Sequence, residues 1–374
     1  MSKESPVVAQ GTEKGGRHFG AWRIGFLLPY LLPPLLIVGV ALGGAWAFLP
    51  VLVVFGLIPL LDMALGRDRA NPDEEALETL LRSPYYRLIL LLWLPVQYAL
   101  ITWAVWQAGQ GLDWLTLAGL AISTGVLSGG VGITVAHELG HSRRPPDRAV
   151  ARLLLVSVAY LHFLVEHNRG HHARVATPDD PATARFGESF YRFWPRTVLG
   201  SWQSAMGFER ERLDKAGLPR WHPRNQMIWA VLGPLGLAIA AWLLAGGAGL
   251  LLFLVQAFVA FSLLELVNYI EHYGLERQRR PNGGYAKVDI HHSWNASERF
   301  TNLLLFNLQR HSHHHAHSLT PYQALKHFDE SPQLPSGYAG MIVLALIPPL
   351  WRRIMDPRAR HYREQVLGLN KESI

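Results

Sequence analysis

The feature that most limits what this 374-residue chain can fold into is a set of long apolar runs without charge. Residues 24–43 and 46–61 carry no charged side chain, nor do residues 88–112, and Asp113 is the single acid before that run resumes to residue 136. A membrane span needs about 20 predominantly apolar residues, and a soluble core helix rarely needs that many. The runs predict an all-α integral membrane protein with about six transmembrane helices, near residues 24–43, 46–65, 86–107, 114–136, 226–245 and 249–268. The intervening "GGAW", "AGQGLD" and "AGGAGL" are short and Gly-rich, as tight turns on the far side would be. Two shorter runs, 149–164 and 338–350, read as interfacial or buried helices.

Charge placement gives the orientation. The formal charge is +7, but no Lys or Arg occurs between Arg87 and Arg143 or between Arg224 and Arg277. The basic residues gather instead near 13–23, 67–87, 143–152, 169–224 and 277–374, as the positive-inside rule expects of cytoplasmic segments. The charge is thus a topology signal and not a nucleic-acid patch, and both termini are expected in the cytoplasm. The first 23 residues lack the short apolar core and small-residue cleavage site of a signal peptide, so the first helix is expected to be retained. No fixed-period repeat divides the chain, so residues 1–374 read as one membrane-embedded domain, with polar regions at 137–225 and 269–374.

Cysteine is absent, which removes disulfides, a thiolate nucleophile and iron–sulfur chemistry from the chain itself. Any metal must take nitrogen or oxygen ligands. Most of the 18 histidines fall in four clusters: "HELGH" with His137 and His141, "EHNRGHH" with His167, His171 and His172, "NYIEHYG" with His272, and "QRHSHHHAH" with His311, His313, His314, His315 and His317. The six-helix count brings all four to one membrane face. His137 and His141 are four residues apart, as are His167 and His171, so each pair is expected to face one way on a helix and close on one metal; His311 and His314, three apart, do the same. The H-E-x-x-H pattern alone suits a zinc protease, but one catalytic zinc takes three protein ligands, and eight or nine imidazoles suffice for two metals. Imidazole suits iron, copper, nickel and zinc alike.

On "HELGH", "EHNRGHH", "NYIEHYGL" and "LQRHSHHHAH", joined by "ATPDDPATARFGES" and "HHSWN", the chain resembles the membrane-bound, non-heme di-iron alkane 1-monooxygenases. Three of the boxes are also similar to those of membrane fatty-acid desaturases and hydroxylases, whereas "NYIEHYG" points to the alkane and xylene hydroxylase branch. The resemblance implies two iron ions held by His137, His141, His167, His171, His172, His272, His311, His314 and His315. It leaves His313 outside the ligands and His291, His292 and His317 nearby. It also implies O2 as oxidant, an alkane entering from the bilayer, electrons from rubredoxin reduced by an NADH-dependent reductase, and a bacterial inner membrane. Terminal hydroxylation of a medium- or long-chain n-alkane is the reaction expected. A fatty-acyl desaturase shares the metals but not the product, and a metal transporter would string its ligands along a path.

Glu138, Glu166 and Glu271 each adjoin an implied ligand, and metal-bound histidines usually donate their other ring nitrogen to such a carboxylate. Glu265 and Asn268 share a helix face with His272, and an intramembrane acid is costly enough to expect a role. Glu265 is read equally as support for the metals or as a hydrogen bond within the bundle. His18, His222, His327 and His361 read as solvated or capping side chains, and His162 as a core residue with its bonds met. Val54, Phe55 and Ile58 are candidates to line a substrate channel.

Overall fold

The computed structural model describes residues 19–281, 283–365 and 368; His18 and the outermost residues of both termini lie outside the described residues. Among the described residues the regular structure is helical, and strand-like pairing is confined to isolated bridges such as Arg67 with Glu298. Among the described residues, four helical stretches are long and apolar enough to cross a membrane, the last of them folded into two arms. They are α1 (Gly44–Leu65), α2 (Pro84–Ala108), α3 (Trp114–Gly140) and, after the shorter α4 (His162–Glu166) and the 26-residue α5 (Phe190–Lys215), the 47-residue α6 (Gln226–His272). The short α7 (Arg299–Leu304), α8 (His311–Ala316) and α9 (Tyr338–Ala345) follow, and α9 meets the helix Pro348–Gln365 at a 120° bend.

The predicted pair at 226–245 and 249–268 is present as two helical arms joined by a tight turn, whereas the predicted first span is shortened. Residues 226–245 and 249–268 are two arms of α6, which breaks at Ala245 (φ −142°) and Gly246 (φ 58°). Glycine enters the left-handed region without a Cβ penalty. The chain doubles back there: a Cβ on Gly249 would lie 2.4 Å from the Ala241 carbonyl. Eight residues of straight helix would separate those positions by about 12 Å. The predicted first span is cut by a break after Gly25 and ends before Gly43 (φ 74°), leaving Leu28–Leu42 as a shorter apolar helix. Pro29 falls in its first turn, where the missing N–H has no partner to lose.

Helix α3 is the centre of the bundle. Its most apolar window is 83% buried, against 17% for α1, and glycines let its neighbours come close. A Cβ on Gly119 would lie 2.6 Å from Ala47, and one on Gly129 would lie 2.7 Å from the Ala260 backbone on the second arm of α6. Small residues at such crossings allow backbone approach where the lipid supplies no hydrophobic drive. Polar ties fix the register: Gln97 donates to Ser157 (2.7 Å) and accepts from Trp93 (2.9 Å), while Tyr160 and Thr197 donate to Glu265 at 2.7 and 2.8 Å.

The segment after α6 is held against the helices by Asp62, near the end of α1. Its buried carboxylate accepts the N–H groups of Phe300 (3.1 Å) and Thr301 (3.0 Å) and the Thr301 hydroxyl, so a side chain of the bundle caps α7. Asp62→Ala strands those buried donors, and we expect a loss of about 1–3 kcal/mol, read as a lower unfolding midpoint in detergent, with Asp62→Asn losing less.

Candidate metal centre

The nine histidines of the sequence reading lie in two adjoining groups. His137 and His141 come from the end of α3, His167 and His172 from the turn after α4, and His314 from α8; their ligand-competent nitrogens lie within 4.8 Å of one another. His171, His272, His311 and His315 form the second group on the same criterion. The rings of His172 and His315 lie 4.6 Å apart, so the groups are neighbours.

This partition corrects the pairings expected from helical spacing. His167 and His171 fall in different groups, as do His311 and His314. The cause in the first case is local: residues His167–His171 form a π-helical turn in which the His172 N–H donates to the His167 carbonyl, five residues back. A π-turn holds one more residue than an α-turn, so residue i+5 returns above residue i. His172, not His171, therefore meets His167, with Nε2 atoms 3.0 Å apart. Gly170 permits the turn, because a Cβ there would lie 2.3 Å from a Glu166 oxygen and 2.4 Å from the Arg174 guanidinium, the two ends of a 2.8 Å ion pair. In α8 the partners are His311 and His315, one α-turn apart, with Nε2 atoms at 2.9 Å.

The donor set fits a cation. The Nε2 atoms of His141, His167 and His172 are 3.0–3.3 Å apart pairwise, and that of His314 is 3.2 Å from His172. A neutral imidazole carries one N–H, so these convergent nitrogens cannot all satisfy one another. Metal–imidazole bonds of about 2.0–2.1 Å place adjacent nitrogens about 3 Å apart. The buried Nε2 atoms of His137, His171 and His272 have no protein partner, which leaves their lone pairs for an ion. Burial first, then the neighbouring imidazoles, hold His167, His172, His311, His314 and His315 well below the ordinary histidine range and bring His141 down to about 4. Neutral rings are the ligating form.

Among the described residues, two larger cavities reach this centre, besides a space of about 10 Å³ at His137 and His314. An apolar one of about 70 Å³ runs between α1, α3 and α6 and ends on His137, His167, His311 and Glu271. Val54 and Phe55 line it, as the sequence reading expected; Ile58 does not, being packed inside the bundle at 1% exposure. A polar one of about 580 Å³ reaches His141 and Glu138 past Arg82, Arg143 and Arg144. His141 and His172 are the half-buried members of the nine.

A fatty acid desaturase profile matches residues 112–345, which include all four histidine clusters. Alkane 1-monooxygenase 1 of Pseudomonas aeruginosa is 50% identical over 320 residues, covering 85% of this chain and 84% of that protein. The chain belongs to the alkane 1-monooxygenases of the fatty acid desaturase family. An alkane 1-monooxygenase of Acinetobacter baylyi is 42% identical over 353 residues, covering 93% and 84% of the two chains. The xylene/toluene monooxygenase hydroxylase component of Pseudomonas putida is 29% identical over 362 residues, covering 92% and 94%.

The carboxylates of this family member divide by contact. Glu138 accepts from the Tyr322 N–H (3.1 Å), and Glu166 closes the π-turn through Arg174. Glu265 is bonded to Tyr160, Thr197 and Asn268. Glu271 reaches His311, but at Nε2 (3.1 Å), the nitrogen that also faces His315, while its other oxygen accepts from Tyr338 (2.7 Å). It thus borders the interior of the second group instead of holding a ring from behind.

The carboxylate that holds a ring from behind is Asp180, which the sequence reading did not single out. Its Oδ2 lies 2.9 Å from His171 Nδ1 and accepts from Thr183 at 2.6 Å. Its position in "ATPDDPATARFGES", nine residues beyond His171, was the available signal. Among the remaining histidines, His313 accepts from the Lys326 N–H (2.9 Å), His291 pairs with Tyr362 (2.7 Å), His292 with Asp289 (2.9 Å), and His317 packs on His313. His222 accepts in a turn from the Arg224 N–H, and His361 is exposed. His327 is buried, not solvated, between Ser297 (2.7 Å) and Asp329 (3.1 Å). His162 is in the core as expected, packed on Tyr160 and Trp202, but neither ring nitrogen has a protein partner. Asp180→Asn removes the charged acceptor that fixes the His171 ring; we expect metal affinity of the second group to fall about 10–100-fold, measured by chelator competition.

Proposed function

We propose that the chain hydroxylates the terminal methyl of medium- or long-chain n-alkanes, with O2 as oxidant and two irons held by the nine histidines. His137, His141, His167, His172 and His314 would hold one iron, and His171, His272, His311 and His315 the other. The observation that carries this reading is the placement of both histidine groups at the end of an apolar cavity. The relatives named as alkane 1-monooxygenases supply the substrate class.

An alkane offers no group for acid–base chemistry, and iron bound at these histidines supplies the O2 activation that side chains do not. The chain's own work is placement. Val54, Phe55, Ile133, Phe163, Leu263 and Leu264 surround a hydrocarbon with apolar contact and keep water from the reacting end. Their position between bilayer-facing helices suits entry of the substrate from lipid. In balance, alkane, O2, two electrons and two protons give 1-alkanol and water. The chain has no cysteine for an iron–sulfur centre, and the resemblance assigns the electrons to rubredoxin and its NADH-dependent reductase. Exposed Arg143 and Arg144 beside the polar cavity suit an acidic donor protein, and charge of this kind raises the rate of encounter. We place the chain in the bacterial inner membrane, with this face and both termini cytoplasmic.

Two measurements test the reading. The purified chain should carry two irons, His272→Ala should lose iron and His313→Ala should keep both; a single zinc per chain would refute the assignment. With rubredoxin, its reductase and NADH, octane or dodecane should yield the 1-alkanol, whereas an olefin product would favour a desaturase.

A further inference from the structure

We propose that Gly130 sets the length of hydrocarbon the apolar cavity accepts, by leaving open the space that any side chain there would fill. The proposal deepens the alkane reading and rests on it. Gly130 lies in a π-helical turn of α3, Ser128–Ile133, and lines the cavity. It stands seven residues before His137, about 10 Å along the helix from the metal end. A Cβ built on it meets no heavy atom within 4 Å, and Gly130 is half-buried where its neighbours on α3 are buried.

The adjacent glycine serves the opposite purpose. A Cβ on Gly129 would lie 2.7 Å from both the Cα and the carbonyl oxygen of Ala260, so that residue is small because two helices touch. Helix packing therefore explains Gly129 and leaves Gly130 without a packing reason. The Thr134 hydroxyl donates to the Gly130 carbonyl (2.7 Å), tying the open position to the stretch of α3 that leads to His137 about two turns further on. The cavity holds about 70 Å³, so a branched side chain at Gly130, on its lining, would take up much of that space.

Gly56 provides an internal control. It too lies in a π-turn, Val53–Leu57 of α1, and its Cβ would meet nothing within 4 Å, but it is exposed on the outside of the bundle and is not part of the cavity lining.

The test compares wild type with Gly130→Ala, Gly130→Val, Gly130→Leu and Gly56→Val, each supplied with rubredoxin, reductase and NADH. Octane competes at equal concentration with the longest n-alkane that wild type converts. Iron content is measured on every protein. The expected result is a rise in the ratio of short to long 1-alkanol in the order Ala, Val, Leu, reaching about tenfold or more, with Gly56→Val at the wild-type ratio. An unchanged ratio in variants that keep their iron would overturn the proposal. So would an equal fall of both products, which marks a blocked entrance, or loss of iron already in Gly130→Ala, which shows that the position is not open. If wild type makes neither alcohol, the alkane reading itself fails and the role of Gly130 falls with it, a result distinct from the other three.

Discussion

The structure depends on the convergence of nine imidazoles whose lone pairs meet inside a protein of low polarity. Buried histidines resist protonation, and nitrogens 3 Å apart have too few N–H groups to satisfy one another, so the cluster is held together only if the scaffold forces it or a cation fills it. The scaffold contributes through α3 and α6, which place His137 and His272 at their ends on one face. Asp180, by holding Nδ1 of His171, turns the other nitrogen of that ring inward.

Close helix packing makes that convergence possible. Gly119 and Gly129 let α3 approach its neighbours at backbone distance, and the fold-back at Ala245 and Gly246 returns α6 along α3 to the same face. Asp62 then pins the segment that leads into α8, so His311, His314 and His315 arrive from a different part of the chain. The same helices leave a narrow apolar space beside the histidines. Helix packing and substrate access thus draw on adjacent residues of one π-turn, Gly129 and Gly130.

Much of this was legible in the chain itself, where the legible parts depend on local chemistry. Charge-free runs of spanning length called for helices, and clustered imidazoles without cysteine called for a nitrogen-ligated metal. The errors came where geometry departs from the ideal helix. His167 and His171 are four apart and would share a face in an α-helix, but the π-turn moves His171 to the other group. The predicted first span is cut after Gly25 and stops before Gly43, breaks that its charge-free composition does not announce. His327 read as solvated because nothing in its neighbours announces the pocket of Ser297 and Asp329.

The sequence by itself determined the class of fold, the nitrogen ligand chemistry and the residues available for it, since hydropathy, side-chain type and cluster spacing are properties of short segments. Only the tertiary structure decided that those nine histidines divide into five and four, that Asp180 stands behind His171, that Glu271 faces inward and that Gly130 opens on a cavity while Gly129 touches a helix. These follow from which atoms meet across segments far apart in the chain, and from a single extra residue in a helical turn. Residue types alone do not say which of these atoms meet.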